Sequence, residues 1–309
     1  MQIATYYRGF KQYLQLEKNL SGNSVEAYLR DIQKIEEYTV SRNIEIPSDP
    51  SGAFFNDFIK WISESGYSAT SQARILSGIR AFYDYLFLEK VITHNPTELV
   101  EFPKTARKLP SVLTSEEIEK MLALIDLSKE GGFRNKVILE LLFACGLRVS
   151  ELVNLEKGHI SFENGWILVT GKGNKQRLVP ISDNALNLIK IYLETERNQM
   201  EVKPTEREIL FLNRRGHRLT RVFIFTLIKN LAEAAGIRKK VSPHTFRHSF
   251  ATGLVTNGAD LRSVQNMLGH ESITTTEIYA HLDRSHLKTV VETFHPQSGK
   301  NPLRKRGKP

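Results

Sequence analysis

The sequence predicts a mainly α protein (α+β class) of two mostly helical domains, the second carrying a small antiparallel sheet. Three observations predict it. The chain has 309 residues, about twice the usual size of a single domain. Apolar residues recur at three- and four-residue spacings along most of the chain, and strand character is confined to residues 159–169 and 176–181. Between the halves, Pro96, Pro103 and Pro110 break the helical pattern in company with Lys104, Arg107 and Lys108.

The first domain, 1–103, reads as four helices. Residues 3–18 place Tyr6, Phe10, Tyr13 and Leu14 at helical spacing. Residues 21–42 open on Ser21 or Asn23 as a cap and continue through Tyr28, Ile32 and Ile35. Residues 51–64 set Phe54, Phe58 and Trp61 on one face, and residues 68–90 carry Ile75, Ile79, Phe82, Tyr83 and Leu86. Short connections between four such helices predict a bundle. On the polar face of the fourth, Arg74, Ser77 and Arg80 follow at three-residue steps, a stripe suited either to phosphate groups or simply to water. Residues 104–111 then form an extended basic linker containing Lys104, Arg107 and Lys108.

The second domain, 112–296, begins with Thr114 and Glu117 at capping-box spacing, which predicts a helix over 114–127. A strongly apolar helix follows at 134–145. Gly146-Leu147-Arg148 breaks it, and a short helix with Glu151, Leu152 and Leu155 comes next. Gly171-Lys172-Gly173-Asn174 makes the turn between the two strand segments. From about 183 the chain returns to helices. The last, 284–294, has Leu287, Val290, Val291 and Phe294 on one face, and a basic tail, 297–309, follows it.

Composition narrows the function class. Lys and Arg total 43 against 34 Asp and Glu, a formal charge of +9 that suits a polyanionic partner, nucleic acid or an anionic surface alike. The single cysteine, Cys145, excludes an intrachain disulfide and lies in an apolar run where a small buried side chain is expected. The N-terminus lacks the apolar core of a signal peptide, and no stretch approaches the roughly 18 apolar residues of a membrane span. A soluble, cytoplasmic protein is expected.

The chemistry concentrates in a few places. In Ser242-Pro243-His244-Thr245-Phe246-Arg247-His248, Ser242 is a favourable N-cap and Pro243 fits the first helical position. His244 and Arg247 then sit three apart near a helix N-terminus, the end that attracts anions. Leu268-Gly269-His270 closes another helix with a left-handed cap, and Tyr279 follows nine residues later. Arg148 comes directly after the Gly146 break. Glu151, three residues on, is placed either to orient its guanidinium or to form an ordinary surface pair. Lys172 sits at the hairpin tip between glycines that let backbone approach a ligand, or is a solvated turn lysine. Neither a phosphate-binding loop nor a zinc-protease helix is present. Gly171-Lys172-Gly173 lacks the Lys-Ser/Thr continuation, and residue 245, between His244 and His248, is Thr rather than Glu. No metal or cofactor is expected.

Together, GLRVSEL at 146–152, GKGNKQR at 171–177, HTFRHSFAT at 244–252, LGH at 268–270 and Tyr279 resemble the tyrosine recombinase (phage integrase) family, and within it the Xer recombinases. The resemblance spans nearly the whole chain. It implies a SAM-like core-binding domain and a catalytic domain forming a C-shaped clamp on DNA. It also implies catalytic residues Arg148, Lys172, His244, Arg247, His270 and the nucleophile Tyr279, with Glu151 in support. Arg74, Ser77, Arg80, Lys104, Arg107 and Lys108 become candidate DNA contacts. The implied partners are double-stranded DNA with inverted half-sites and three further subunits, equal or mixed, completing a tetramer on two sites. The helix at 284–294 would be exchanged between neighbours. A second Xer-like recombinase and a DNA translocase are further implied partners. Chromosome dimer resolution is the expected task. Integration or inversion of a mobile or phase-variable element is the alternative, and a non-cutting DNA-binding protein the alternative of another class.

Overall fold

The computed structural model describes residues 3–47, 50–98, 100–103, 111–269 and 284–296; for Lys172 and residues 284–286 it describes the backbone only. The chain divides into two compact units, Met1–Lys108 and Leu109–Pro309.

In the first unit a single 3-10 turn, Ile3–Tyr6, leads into α1 (Tyr7–Leu16), so the predicted helix at 3–18 is shorter and its first turn tighter. α2 (Gly22–Arg42), α3 (Gly52–Glu64) and α4 (Ala69–Leu88) follow at the predicted places. Ser51 and Ser68 cap α3 and α4 by accepting from the backbone N–H groups of Phe54 and Ser71. Asn43 ends α2 at φ 52°, a left-handed position that asparagine tolerates. α4 is the central element. Its Phe82 meets Phe10 of α1 edge to face at 5.2 Å, and its Tyr83 meets Phe55 of α3 at 5.3 Å. These rings are fully buried, and truncating one such as Phe82 to Ala costs about 3–5 kcal/mol. α2 crosses α4 closely at Gly78, where an added Cβ would lie 2.5 Å from the Asp31 carboxylate.

The second unit is built around α6 (Gly132–Cys145), which is apolar and buried nearly all round. α5 (Ser115–Ala123) opens with the predicted Thr114–Glu117 capping box. It ends four residues earlier than the periodicity suggests, because Asp126 accepts from the Ser128 N–H and hydroxyl and turns the chain. α7 (Val149–Val153) is one short turn after the Gly146 break. The first strand segment is divided: β1 (Ile160–Ser161) and β2 (Trp166–Thr170) are separated by a turn in which Gly165 takes φ 72°. β3 (Gln176–Pro180) pairs antiparallel with β2, giving the order β1-β2-β3. α8 (Asp183–Thr195), α9 (Arg221–Ala234), α10 (Pro243–Thr256), α11 (Leu261–Leu268) and α12 (Arg284–Phe294) complete the unit.

One core lies among α5 to α9 and the sheet. A second joins Trp166, Phe250, Leu254, Val264 and Met267 to Leu287, Val290 and Val291 of α12. In the single chain, α12 therefore packs on its own unit. His295, just beyond it, is buried against Phe143 and Phe250, and Asn257 donates to the Phe294 carbonyl at 2.6 Å.

Candidate active site

The break at Gly146 starts the site. Gly146 takes φ 57°, and a Cβ there would meet Phe250 at 2.5 Å, so glycine is required both for the turn and for the close approach of α10. The turn delivers Arg148 to the N-cap of α7 and Glu151 to its third position. Glu151 reaches back to accept from the Arg148 backbone N–H at 2.7 Å and from its guanidinium at 2.8 Å. The predicted pair is therefore real, but it is no surface pair, because Glu151 is only 5% exposed.

The other partner of Glu151 was not singled out from the sequence. Arg177 of β3 donates from Nη1 and Nη2 to the two carboxylate oxygens at 2.7 and 2.8 Å, a bidentate pair in the interior. A signal existed. Arg177 shares a face with Val179 and Ile181, both core residues, and an arginine on the inward face of a strand requires a buried anion.

Arg247 is likewise buried. From α10 it donates to the Gly146 carbonyl at 2.8 Å and to the Leu268 carbonyl, and stands 4.0 Å from Glu151. His244, one helical turn earlier on α10, is exposed, while Arg247 is buried. The α10 cap is as predicted: Ser242 accepts from the Thr245 N–H, with Pro243 at the first position.

The last carbonyls of α11 tie these residues together. Those of Met267, Leu268 and Gly269 accept from Arg177 Nε at 2.7 Å, from Arg247 and from Arg148 Nη2 at 3.1 Å. Helix-end carbonyls carry partial negative charge and no intrahelical donor, so three cations there are well placed. Gly269 closes the helix at φ 63° with its Cα against Arg177.

The electrostatics follow from this packing. Burial raises the pKa of Glu151, but the hydrogen bond and charge of Arg177, with those of Arg148, outweigh it and hold the carboxyl below its ordinary value. Burial, followed by repulsion from Arg148 and Arg177, lowers that of Arg247. Partial desolvation and the nearby His248, Arg247 and Arg148 lower that of His244, which favours the neutral imidazole near pH 7. Three guanidiniums share a single carboxylate. The remaining positive charge faces outward at Arg148, whose side chain is 34% exposed. Planar donors with uncompensated charge suit a tetrahedral oxyanion such as a phosphate diester. Cys145 stands nearby but is buried, and burial pushes its thiol up to about 12.

Lys172 falls in the single 3-10 turn Lys172–Asn174 between β2 and β3, where Gly171 donates to the Lys175 carbonyl at 2.8 Å. His270 and Tyr279 lie outside the described residues, as do Lys104, Arg107 and Lys108 and the tail 297–309. In the first unit, Arg74 is half exposed but pairs with Asp31 at 2.6 Å, and the exposed Ser77 bonds back to the Ala73 carbonyl. Arg80 turns away from the stripe. It donates to the carbonyls of Thr97 and Val100 and lies over the Phe102 ring. Among the described residues there is no group of three His, Cys, Asp or Glu side chains able to hold a metal ion. No helix among them is long and apolar enough to cross a membrane.

Comparison with known proteins covers both units. The profile of the phage integrase family matches residues 111–286, and that of the phage integrase N-terminal SAM-like domain matches residues 8–90. Tyrosine recombinase XerD of Staphylococcus aureus is 40% identical over 296 residues, covering 96% of this chain and 100% of that one. The XerH site-specific recombinase bound to a palindromic difH substrate, in a post-cleavage complex, superposes with a TM-score of 0.70 at 27% identity, covering 89% of this chain and 81% of that one. The integrase of the Tn1549 transposon, 18% identical, shares the fold with a TM-score of 0.71 over 90% of this chain and 98% of that one.

Proposed function

The chain belongs to the phage integrase family and is a tyrosine site-specific recombinase, and on that premise we propose that Tyr279 is its nucleophile. The phenolic oxygen attacks a backbone phosphorus, the bond to the 5′ oxygen breaks, and a 3′-phosphotyrosyl link holds the strand end. Arg148 and Arg247 neutralise the charge that builds on the non-bridging oxygens, with His270 adding a hydrogen bond. His244, favoured neutral, receives the Tyr279 proton, and Lys172 gives one to the departing 5′ oxygen. Glu151 orients Arg148. Because one phosphodiester is exchanged for another, this reaction needs neither ATP nor a metal. The observation that carries the reading is the cluster of three guanidiniums around one buried carboxylate, with its surplus charge turned outward at Arg148.

The substrate we infer is double-stranded DNA with inverted half-sites, held by a tetramer on two sites. The XerH complex with a palindromic substrate supports the half-site arrangement. XerD-like similarity over nearly the whole chain favours chromosome dimer resolution in the cytoplasm, with a second recombinase and a translocase as partners. Residues 1–103 and the basic linker would bind DNA through Arg74, Ser77, Arg80, Lys104, Arg107 and Lys108. Of these, Arg80 has Nη2 committed to the Thr97 and Val100 carbonyls. In the tetramer α12 would leave its own unit for the equivalent seat on a neighbour. Deleting residues beyond about 284 should then leave DNA binding largely intact and uncouple cleavage; unchanged recombination would refute the exchange.

The test of the chemistry is recovery of detergent-resistant covalent adducts between the protein and DNA, followed by sequencing of the attached ends. One dominant chromosomal site with inverted half-sites, lost in Tyr279→Phe, is expected. Adducts at a mobile-element boundary would keep the chemistry and change the task, and DNA binding without any adduct would refute the nucleophile.

A further inference from the structure

Arg177 is held on three sides of its guanidinium and is nearly sealed in the interior. Nη1 and Nη2 are taken by the Glu151 oxygens, Nε by the Met267 carbonyl, and the residue is 5% exposed. Buried behind these partners, its guanidinium is not open to a phosphate, unlike that of Arg148. Yet its three attachments lead to three different parts of the proposed machinery. It stands on β3, directly after the 171–175 turn that carries Lys172. It grips Glu151, which in turn fixes both the backbone and the guanidinium of Arg148. It caps the end of α11, where Gly269 packs on its side chain and His270 follows.

We propose that Arg177 is a positioning residue of the strand-cleavage site, holding Glu151 in a bidentate pair and thereby setting Arg148, the 171–175 turn and the end of α11 in mutual register. The inference rests on the catalytic assignment above. A residue that acts only as structural filler would affect folding, whereas Arg177 also governs the charge state of Glu151. The charged groups facing that carboxylate are Arg148 of α7, Arg177 of β3 and Arg247 of α10, with the protonated Cys145 thiol of α6 behind Arg177. Removing Arg177 leaves the burial of Glu151 in place and takes away its strongest opposing charge. The carboxyl pKa then rises, and as the pH falls through that raised value Glu151 gains a proton and releases Arg148.

The experiment measures the single-turnover rate of adduct formation against pH on a nicked duplex carrying the site recovered with wild-type adducts. Mobility shifts give DNA affinity in parallel. Arg177→Met should cleave about 10²-fold more slowly near pH 7 with nearly unchanged affinity. The acid limb of its profile should move up by about 1–3 pH units. Arg177→Lys keeps the charge but not the fork, so it should fall between, with the limb unmoved. In Glu151→Gln/Arg177→Met the shifted limb should vanish, because an amide does not titrate. A wild-type rate and profile in Arg177→Met overturns the inference, and so does a loss that is uniform in pH. If Arg177→Met does not fold, Arg177→Lys decides: slowed cleavage at wild-type melting temperature supports positioning, and wild-type cleavage overturns it. Absence of adducts from the wild-type protein would overturn the catalytic assignment itself, a separate result.

Discussion

Asp31→Asn should make the protein gain stability relative to wild type as the pH rises. Asp31 lies at the α2–α4 crossing, 2% exposed, with Gly78 against it and Arg74 as its ionic partner at 2.6 Å. Burial raises its pKa from 3.8 to about 6, and the hydrogen bond and charge of Arg74 only partly oppose that. The folded state thus binds the proton more tightly than the unfolded chain does. Stability from this group is fully present below the unfolded value and is lost as the pH rises through about 6. Integrating between those two values gives a loss of roughly 2 kcal/mol between about pH 4.5 and about pH 7.5. Asparagine resembles the protonated acid and does not titrate. Arg74, half exposed, recovers water when its partner is neutral. Urea unfolding of both proteins at the two pH values, followed by circular dichroism, isolates the term as a difference of differences. A constant difference would refute the reasoning. If the variant instead loses ground as pH rises, Arg74 rather than burial controls the carboxyl.

Three further outcomes are expected. Glu151→Ala strands Arg177 as a buried unpaired cation, so thermal unfolding should record a loss of about 3–5 kcal/mol, or about 6–20 °C; a drop within about 2 °C would contradict the buried pair. Gly146→Ala forces a Cβ into Phe250 at a left-handed position and should cost about 2 kcal/mol or more by urea unfolding, with Leu147→Met a milder control. His295 is held by burial at a pKa of about 4, so its contribution is present above the ordinary 6.5 and is lost as the pH falls toward about 4. Hydrogen exchange should accordingly show residues 287–294 losing protection on acidification, less so in His295→Phe.

Local signals carried much of the fold. The Thr114–Glu117 and Ser242–Pro243 caps and the Gly146 and Gly269 stops lie within a few residues of what they control. Where neighbours decide, the sequence was less readable. Arg177 finds its partners 26 and 90 residues away, and no spacing rule reaches that far. Arg80 kept its helical place in the polar stripe, yet the carbonyls of Thr97 and Val100 drew it elsewhere. His244 and Arg247 are one helical turn apart by count, but the carbonyls of Gly146 and Leu268 bury Arg247 while His244 stays exposed. The strand region was visible, and the turn that splits it is carried by Asn164-Gly165, a local turn signal that the strand character of the flanking residues overrode.

The state of Cys145 has a practical consequence. It is the chain's single thiol, enclosed at the C-terminal end of α6, where burial pushes its pKa up to about 12 and keeps it protonated near neutral pH. Electrophilic dyes and spin labels react with thiolates they can reach, and this one is neither formed nor reachable. The natural sequence is therefore already a silent background for labelling. A cysteine placed at exposed Val222 would take a fluorophore alone, so movements on DNA can be followed without first replacing the buried native thiol.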